Sequence, residues 1–167
     1  MAFLADSKYS RRTHTDTIVI HCAETPANDD IGAAEIREWH IHERGWIDIG
    51  YHYVIRRNGT VEPGRPSWAL PSAVQGDNNH IVAICLVGGC DAKKNEQNNF
   101  TVQQWAALRS LIAGVIHEYP TITNVKGHRE YAEAIAQGKY CPSFDVPTWW
   151  PTVQEDVFAI AKQLQQN

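Results

Sequence analysis

Eight histidines and four cysteines in a chain of 167 residues pose the first chemical question, which of them can converge on a metal ion. Zinc binds neutral imidazole and thiolate, and a catalytic zinc needs three protein ligands with one position left open for water. The best-placed candidates sit at the ends of elements. His21 closes a short β-branched run, His128 follows a second short extended segment, and Cys141 lies in a loop braced by Pro142. Side chains at such positions can leave a sheet edge and meet above it. No standard local signature is present, neither H-E-x-x-H nor C-x-x-C. A histidine taken singly reads more readily as a hydrogen-bonded structural residue, because imidazole serves many roles. Cys22, beside His21, and Cys85, inside an apolar run, read as packing residues. Glu24, Glu35 and Asp48 are the carboxylates a glycosidase reading would use, and nothing in their context distinguishes them.

The elements that position these residues follow from periodicity and turn chemistry. Thr17-Ile18-Val19-Ile20 reads as a strand with His21 at its exit. Asn28-Asp29-Asp30 offers capping side chains for a helix whose Ile36, Trp39 and His40 share one face until Gly45. Tyr51 to Ile55 leads through Asn58-Gly59 into Thr60-Val61, a hairpin signal. Residues 63–80 are rich in Pro, Gly, Ser and Asn and read as a long surface excursion of the kind that shapes clefts. Ile81 to Val87 is continuously apolar and ends at Gly88-Gly89, as expected of a strand buried on both faces at the sheet's centre. Thr101 and Gln104 form a capping box for a helix with Trp105, Leu108, Ile112 and Val115 on one face, with Phe100 stapling onto Trp105 and Pro120 stopping it. Residues 121–126 read as another strand, and Val153, Val157, Ile160 and Leu164 mark a final amphipathic helix. The expected fold is α/β, a single domain with a central mixed β-sheet flanked by α-helices, preceded by a polar arm over residues 1–15.

Composition narrows the function classes. With 43% hydrophobic and 20% charged residues the chain is an ordinary globular protein. A formal net charge of -4 argues against a nucleic acid or an anionic membrane as the principal partner. Four cysteines without paired spacing read as reduced thiols. Ala2-Phe3-Leu4-Ala5 is far short of an export signal and no apolar run spans a bilayer, so the expectation is a cytoplasmic monomer.

Ile18-Val19-Ile20-His21-Cys22-Ala23, Ile36-Arg37-Glu38-Trp39-His40, Gly45-Trp46-Ile47-Asp48-Ile49-Gly50-Tyr51-His52-Tyr53, Asn58-Gly59-Thr60-Val61-Glu62, Cys85-Leu86-Val87-Gly88-Gly89 and Cys141-Pro142-Ser143-Phe144-Asp145 form a colinear series over nearly the whole chain. In order and spacing it resembles the type 2 N-acetylmuramoyl-L-alanine amidases, which share their fold with peptidoglycan recognition proteins, and is most similar to the small lysozyme-named amidases of short-tailed coliphages. The resemblance implies a catalytic domain over 16–167 that cuts the amide between muramic acid and the stem peptide of peptidoglycan. It implies Zn2+ bound by His21, His128 and Cys141, with Tyr51 and Lys139 assisting catalysis. It also implies an endolysin that accumulates in the host cytoplasm and reaches the wall through a membrane lesion made by another protein. Two alternatives accompany it, a recognition module that binds peptidoglycan without cutting it, and a dual-role amidase that also restrains a phage RNA polymerase. Trp68, in the excursion, is the preferred aromatic substrate contact, whereas Trp46, Trp149 and Trp150 read as packing. Between His128 and Cys141 the chain is longer than in the similar phage amidases; that insert reads as helical up to Gly138.

Overall fold

The computed structural model describes residues 8–166, so Ala2-Phe3-Leu4-Ala5 and the remainder of the arm up to residue 7 lie outside the described residues. Among the described residues five strands, β1 (Thr17–Cys22), β2 (Tyr53–Ile55), β3 (Val61–Pro63), β4 (Ile81–Leu86) and β5 (Asn124–Gly127), form one sheet of order β3-β2-β4-β1-β5. β1 pairs in parallel with β4 and β5, and β2 in parallel with β4; only the β2–β3 hairpin is antiparallel. The sheet is therefore mixed, with β4 at its centre.

Why β4 is apolar throughout is visible in what covers it. Side chains alternate across a strand, so Val82, Ile84 and Leu86 join Ile18, Ile20 and Ile55 against α2 (Val102–Glu118) and α4 (Val146–Leu164). Cys85 and Val87 join Val54, Ile36 and Ile49 under α1 (Ala33–Glu38) on the opposite face. A strand covered on both sides has no solvated positions for polar residues.

The helices keep most of their expected signals. Thr101 Oγ1 accepts from the Gln104 amide, and the Gln104 side chain accepts in return from the Thr101 amide, each at 3.1 Å. Phe100 lies edge-on to Trp105 with ring centroids 5.8 Å apart. Leu108, Ile112 and Val115 are buried. α4 starts earlier than its hydrophobic stripe suggests, at Val146, because Asp145 accepts from the Thr148 amide at 3.0 Å; Leu164, at its end, is exposed.

The start of α1 differs from expectation. Its N-cap is Gly32, not Asn28, Asp29 or Asp30. Glu35 reaches back to the Gly32 amide at 2.8 Å, and Glu62 from the β3 strand accepts from the Ala33 amide at 3.3 Å. These two carboxylates satisfy the donors an aspartate cap would have taken, while Asp30 is bonded to Arg56 instead. After Glu38 the chain widens into a π-helical turn, Trp39–Glu43, and Gly45 closes the element at φ +70°.

The excursion from 63 to 80 is irregular but pinned from inside. Arg65, buried, donates to the carbonyls of Ile49 at 2.6 Å and Leu70 at 2.9 Å and to Ser72 Oγ at 3.0 Å. Arg12, also buried, donates to the Ala69 carbonyl at 2.9 Å, and its guanidinium lies over the Tyr119 ring at 5.2 Å. His52 completes the anchor: Nδ1 accepts from the Ala83 amide at 2.9 Å, which leaves Nε2–H to donate to the Ala69 carbonyl at 2.8 Å.

Complete burial pushes the His52 imidazole down to about 3, below the roughly 6.5 of an unfolded histidine. Between those values the unfolded chain binds the proton and the folded one does not. The stabilisation is therefore fully present above about pH 6.5 and lost progressively as pH falls toward 3. Urea titrations from pH 7 to pH 4 should show a falling midpoint, with a shallower fall in His52→Gln. Equal slopes would contradict the assignment.

Candidate metal centre and its cleft

Parallel register brings the two histidines together. Ile20 pairs with Gly127 across β1 and β5, so the next residues, His21 and His128, emerge side by side at the carboxyl ends of their strands, with ring centroids 4.6 Å apart. Such strand ends are where open α/β sheets hold ligands. His128 opens a single 3-10 turn, His128–Glu130, and the Arg129 amide donates to the Cys141 carbonyl at 2.8 Å, drawing the distant Cys141 segment alongside. The Cys22 amide donates to Cys141 Sγ at 3.1 Å, and His21 Nδ1 lies 3.8 Å from that sulfur. Donor atoms of His21, His128 and Cys141 all fall within 4.8 Å of one another, and all three residues are buried.

The donor set suits zinc. Burial above all, with the neighbouring His128 and Lys139 charges adding to it, drives the His21 imidazole well below its usual range. Burial also lowers His128, against the opposing pull of Glu133. Both rings are therefore neutral near pH 7, the form that donates a lone pair. His21 Nε2 is buried without a hydrogen-bond partner. Burial pushes the Cys141 thiol up, with Cys22 reinforcing the shift, so a cation is needed to hold it as thiolate. Two imidazoles and a thiol facing a cleft form a three-ligand set with an open side.

That cleft has a volume of about 220 Å³ and is lined by His21, His128, Cys141, Tyr51 and Lys139, so all five sequence candidates meet in one place. It continues into a second cavity of about 390 Å³ walled by Ser72, Ala73 and Gln75 from the excursion and by Glu133, Gln137 and Lys139 from the insert. The Tyr51 ring lies 5.0 Å from that of His21, and burial raises its phenol well above the usual range, keeping it protonated.

Four further lining residues, Glu24, His40, Arg44 and Trp46, were not singled out for this site by sequence. His40 faces inward with Ile36 and Trp39; its Nδ1 accepts from the Gly50 amide at 2.9 Å and its ring meets Tyr51 at 5.4 Å. Burial lowers it to about 4. Arg44 lies over the Trp46 ring at 5.2 Å. Trp39 and Trp46 both line this cleft, whereas Trp68 packs beneath Arg11 at 4.4 Å and edge-on to Tyr9. Of the three carboxylates considered for a glycosidase, only Glu24 faces the cleft. Glu35 caps α1, and Asp48 is bonded to Arg37 at 2.6 Å.

A second grouping among the described residues, His14, Asp16 and His80, lies at the opposite end of β1 and β4. There His80 Nδ1 and Asp16 Oδ1 are hydrogen-bonded at 2.7 Å, an ordinary partly exposed contact.

The profile of the family described as N-acetylmuramoyl-L-alanine amidase matches residues 11–144. The chain is 46% identical to the endolysin of Klebsiella phage KP32 over 147 residues, 88% of this chain and 93% of that protein. It is 41% identical to the endolysin of Escherichia phage T7 over the same shares of the two chains. Among solved structures, the N-acetylmuramoyl-L-alanine amidase LysC from Clostridium intestinale URNW superposes with a TM-score of 0.66 at 28% identity, over 91% of this chain and 92% of that one.

Gly89 shows how tightly the floor of the site is built. It adopts φ +105°, and a Cβ there would sit 2.6 Å from Cys22 Sγ and 3.1 Å from Ser143 Oγ. Gly76 shares the positive φ, at +90°, but faces open space. Gly89→Ala should therefore destabilise by more than the cost of backbone strain alone, about 1–3 kcal/mol, whereas Gly76→Ala should show only that strain. Equal urea midpoints for the two variants would contradict the packing argument.

Proposed function

This chain belongs to the N-acetylmuramoyl-L-alanine amidase family and is a peptidoglycan hydrolase of the endolysin kind, and on that premise we propose that a zinc ion held by His21, His128 and Cys141 is its catalytic centre. The observation that carries the proposal is the convergence of two neutral imidazoles and a thiol, one ring nitrogen otherwise unpartnered, at the floor of the cleft. A zinc ion in this set would make a water nucleophilic near neutral pH and polarise the amide carbonyl.

The remaining work falls to side chains around the cleft. Amide hydrolysis needs the carbonyl oxygen's developing charge stabilised and the leaving nitrogen protonated. Lys139 supplies a fixed positive charge for the oxygen. Tyr51, protonated and beside His21, orients the attacking water and assists proton transfer. Neutral His40, next to Tyr51, adds a ring that burial keeps from competing as a cation. The excursion and insert wall the adjoining cavity, which gives the stem peptide a channel leading away from the scissile bond.

Digestion of purified Gram-negative sacculi tests this reading. Amino termini of L-alanine should accumulate without new reducing sugar ends, and a chelator should stop the release until zinc is restored. Chelator-insensitive release would overturn the zinc proposal, and binding without release would favour the recognition module. The assisting roles have a separate check: Lys139→Ala and Tyr51→Phe should each bind one zinc but lose about 100-fold or more in turnover. Full turnover in either variant would remove that residue from the mechanism.

A further inference from the structure

His128 has a partner besides the other two members of the set. Its Nε2 lies 2.6 Å from Glu133 Oε1, and Gln137 Nε2 donates to the other carboxylate oxygen at 3.0 Å. Glu133 belongs to α3 (Ala132–Ala136), the short helix between His128 and Cys141. The helix is docked through buried Ala134 and closed where the Lys139 amide donates to the Ala134 carbonyl at 2.9 Å, after Gly138 at φ +65°. Side chains on both sides of the His128–Glu133 bond are largely withdrawn from water, 7% and 20% exposed. Water therefore competes weakly for the bond.

A carboxylate accepts hydrogen bonds and does not donate them when ionised. An ionised Glu133 thus fixes the His128 proton on Nε2, and Nδ1 is the nitrogen left with a free lone pair. We propose that Glu133 is a positioning residue of the metal centre, holding the His128 ring in the orientation and tautomer that present Nδ1 to the cation; this inference rests on the zinc reading above. Charge works in the same direction. A divalent ion with one thiolate and two neutral imidazoles keeps a net positive charge, which the Glu133 carboxylate one ring away offsets. Partners of this kind raise the basicity of the ligand imidazole, and losing one typically weakens metal binding about 10- to 100-fold. The insert between His128 and Cys141 is then more than a spacer, because the same helix that carries Glu133 also returns the chain to Lys139 and the cleft.

Zinc affinity, measured by competition with a chromophoric chelator on the folded full-length chain, separates this role from a merely structural one. Glu133→Ala should bind one zinc with affinity reduced about 10- to 100-fold. Glu133→Gln keeps an acceptor oxygen but not the charge, and should fall between the wild type and Glu133→Ala. In 15N spectra of the zinc-free protein the His128 proton should reside on Nε2 in the wild type and distribute between both nitrogens in Glu133→Ala. Wild-type affinity in Glu133→Ala would overturn the inference while leaving the zinc proposal standing. Failure of the wild type itself to bind one zinc would overturn both.

Discussion

Burying two neutral imidazoles and a thiol, with one ring nitrogen that no group among the described residues satisfies, is unfavourable on its own; an unpaired buried polar group costs about 1–3 kcal/mol. His21 Nε2 is in that position, at the floor of a cleft rather than sealed within the core. The surrounding architecture makes sense as the means of holding this arrangement. Parallel pairing of β1 with β5 sets the two histidines at one sheet edge. A backbone bond from Arg129 to Cys141 ties in the third member, which arrives more than a hundred residues after the first. A cation shared by the three, as proposed above, would convert an uncompensated burial into a stabilising one, because a site that binds only the folded state adds its binding free energy to folding.

The walls of the cleft obey a different rule. Irregular backbone can be rigid when its carbonyls have partners, and here the partners are buried cations. Arg65 and Arg12 insert guanidinium groups beneath the excursion and donate to carbonyls of Ile49, Leu70 and Ala69. His52 ties that excursion to β4 through Ala83. The opposite wall is the short α3 segment, so one side of the second cavity is set by a loop pinned from below and the other by Glu133 of α3 and Gln137 at its C-cap. Among the described residues no helix is long and apolar enough to cross a membrane.

Much of this was legible in the sequence, for reasons that differ by residue. The apolar run of β4 and the capping box of α2 announce themselves because a doubly covered strand and a helix start leave local signals. The position of His21 after a β-branched run, and of His128 after a short strand, made both candidates; pairing between β1 and β5, which sequence does not display, makes them neighbours. α1 is capped at Gly32 rather than at Asn28-Asp29-Asp30 because its first amides are taken by Glu35 and by Glu62, the latter distant in sequence. The shared face of Ile36, Trp39 and His40 is the one the helical period gives, but that this face and Trp46, read as packing, line the cleft is a tertiary fact with no local signal. Trp68 was overvalued: its loop placement suggested a substrate contact, but Arg11 and Tyr9 occupy it.

The most direct test of the central claim is X-ray absorption at the zinc edge of the protein loaded with one equivalent of metal. Two imidazole nitrogens near 2.0 Å and one sulfur near 2.3 Å, with a further light-atom ligand from solvent, would match the His21, His128 and Cys141 set. The sulfur should disappear in Cys141→Ser. A first shell without sulfur in the wild type, or one unchanged by that substitution, would contradict the account.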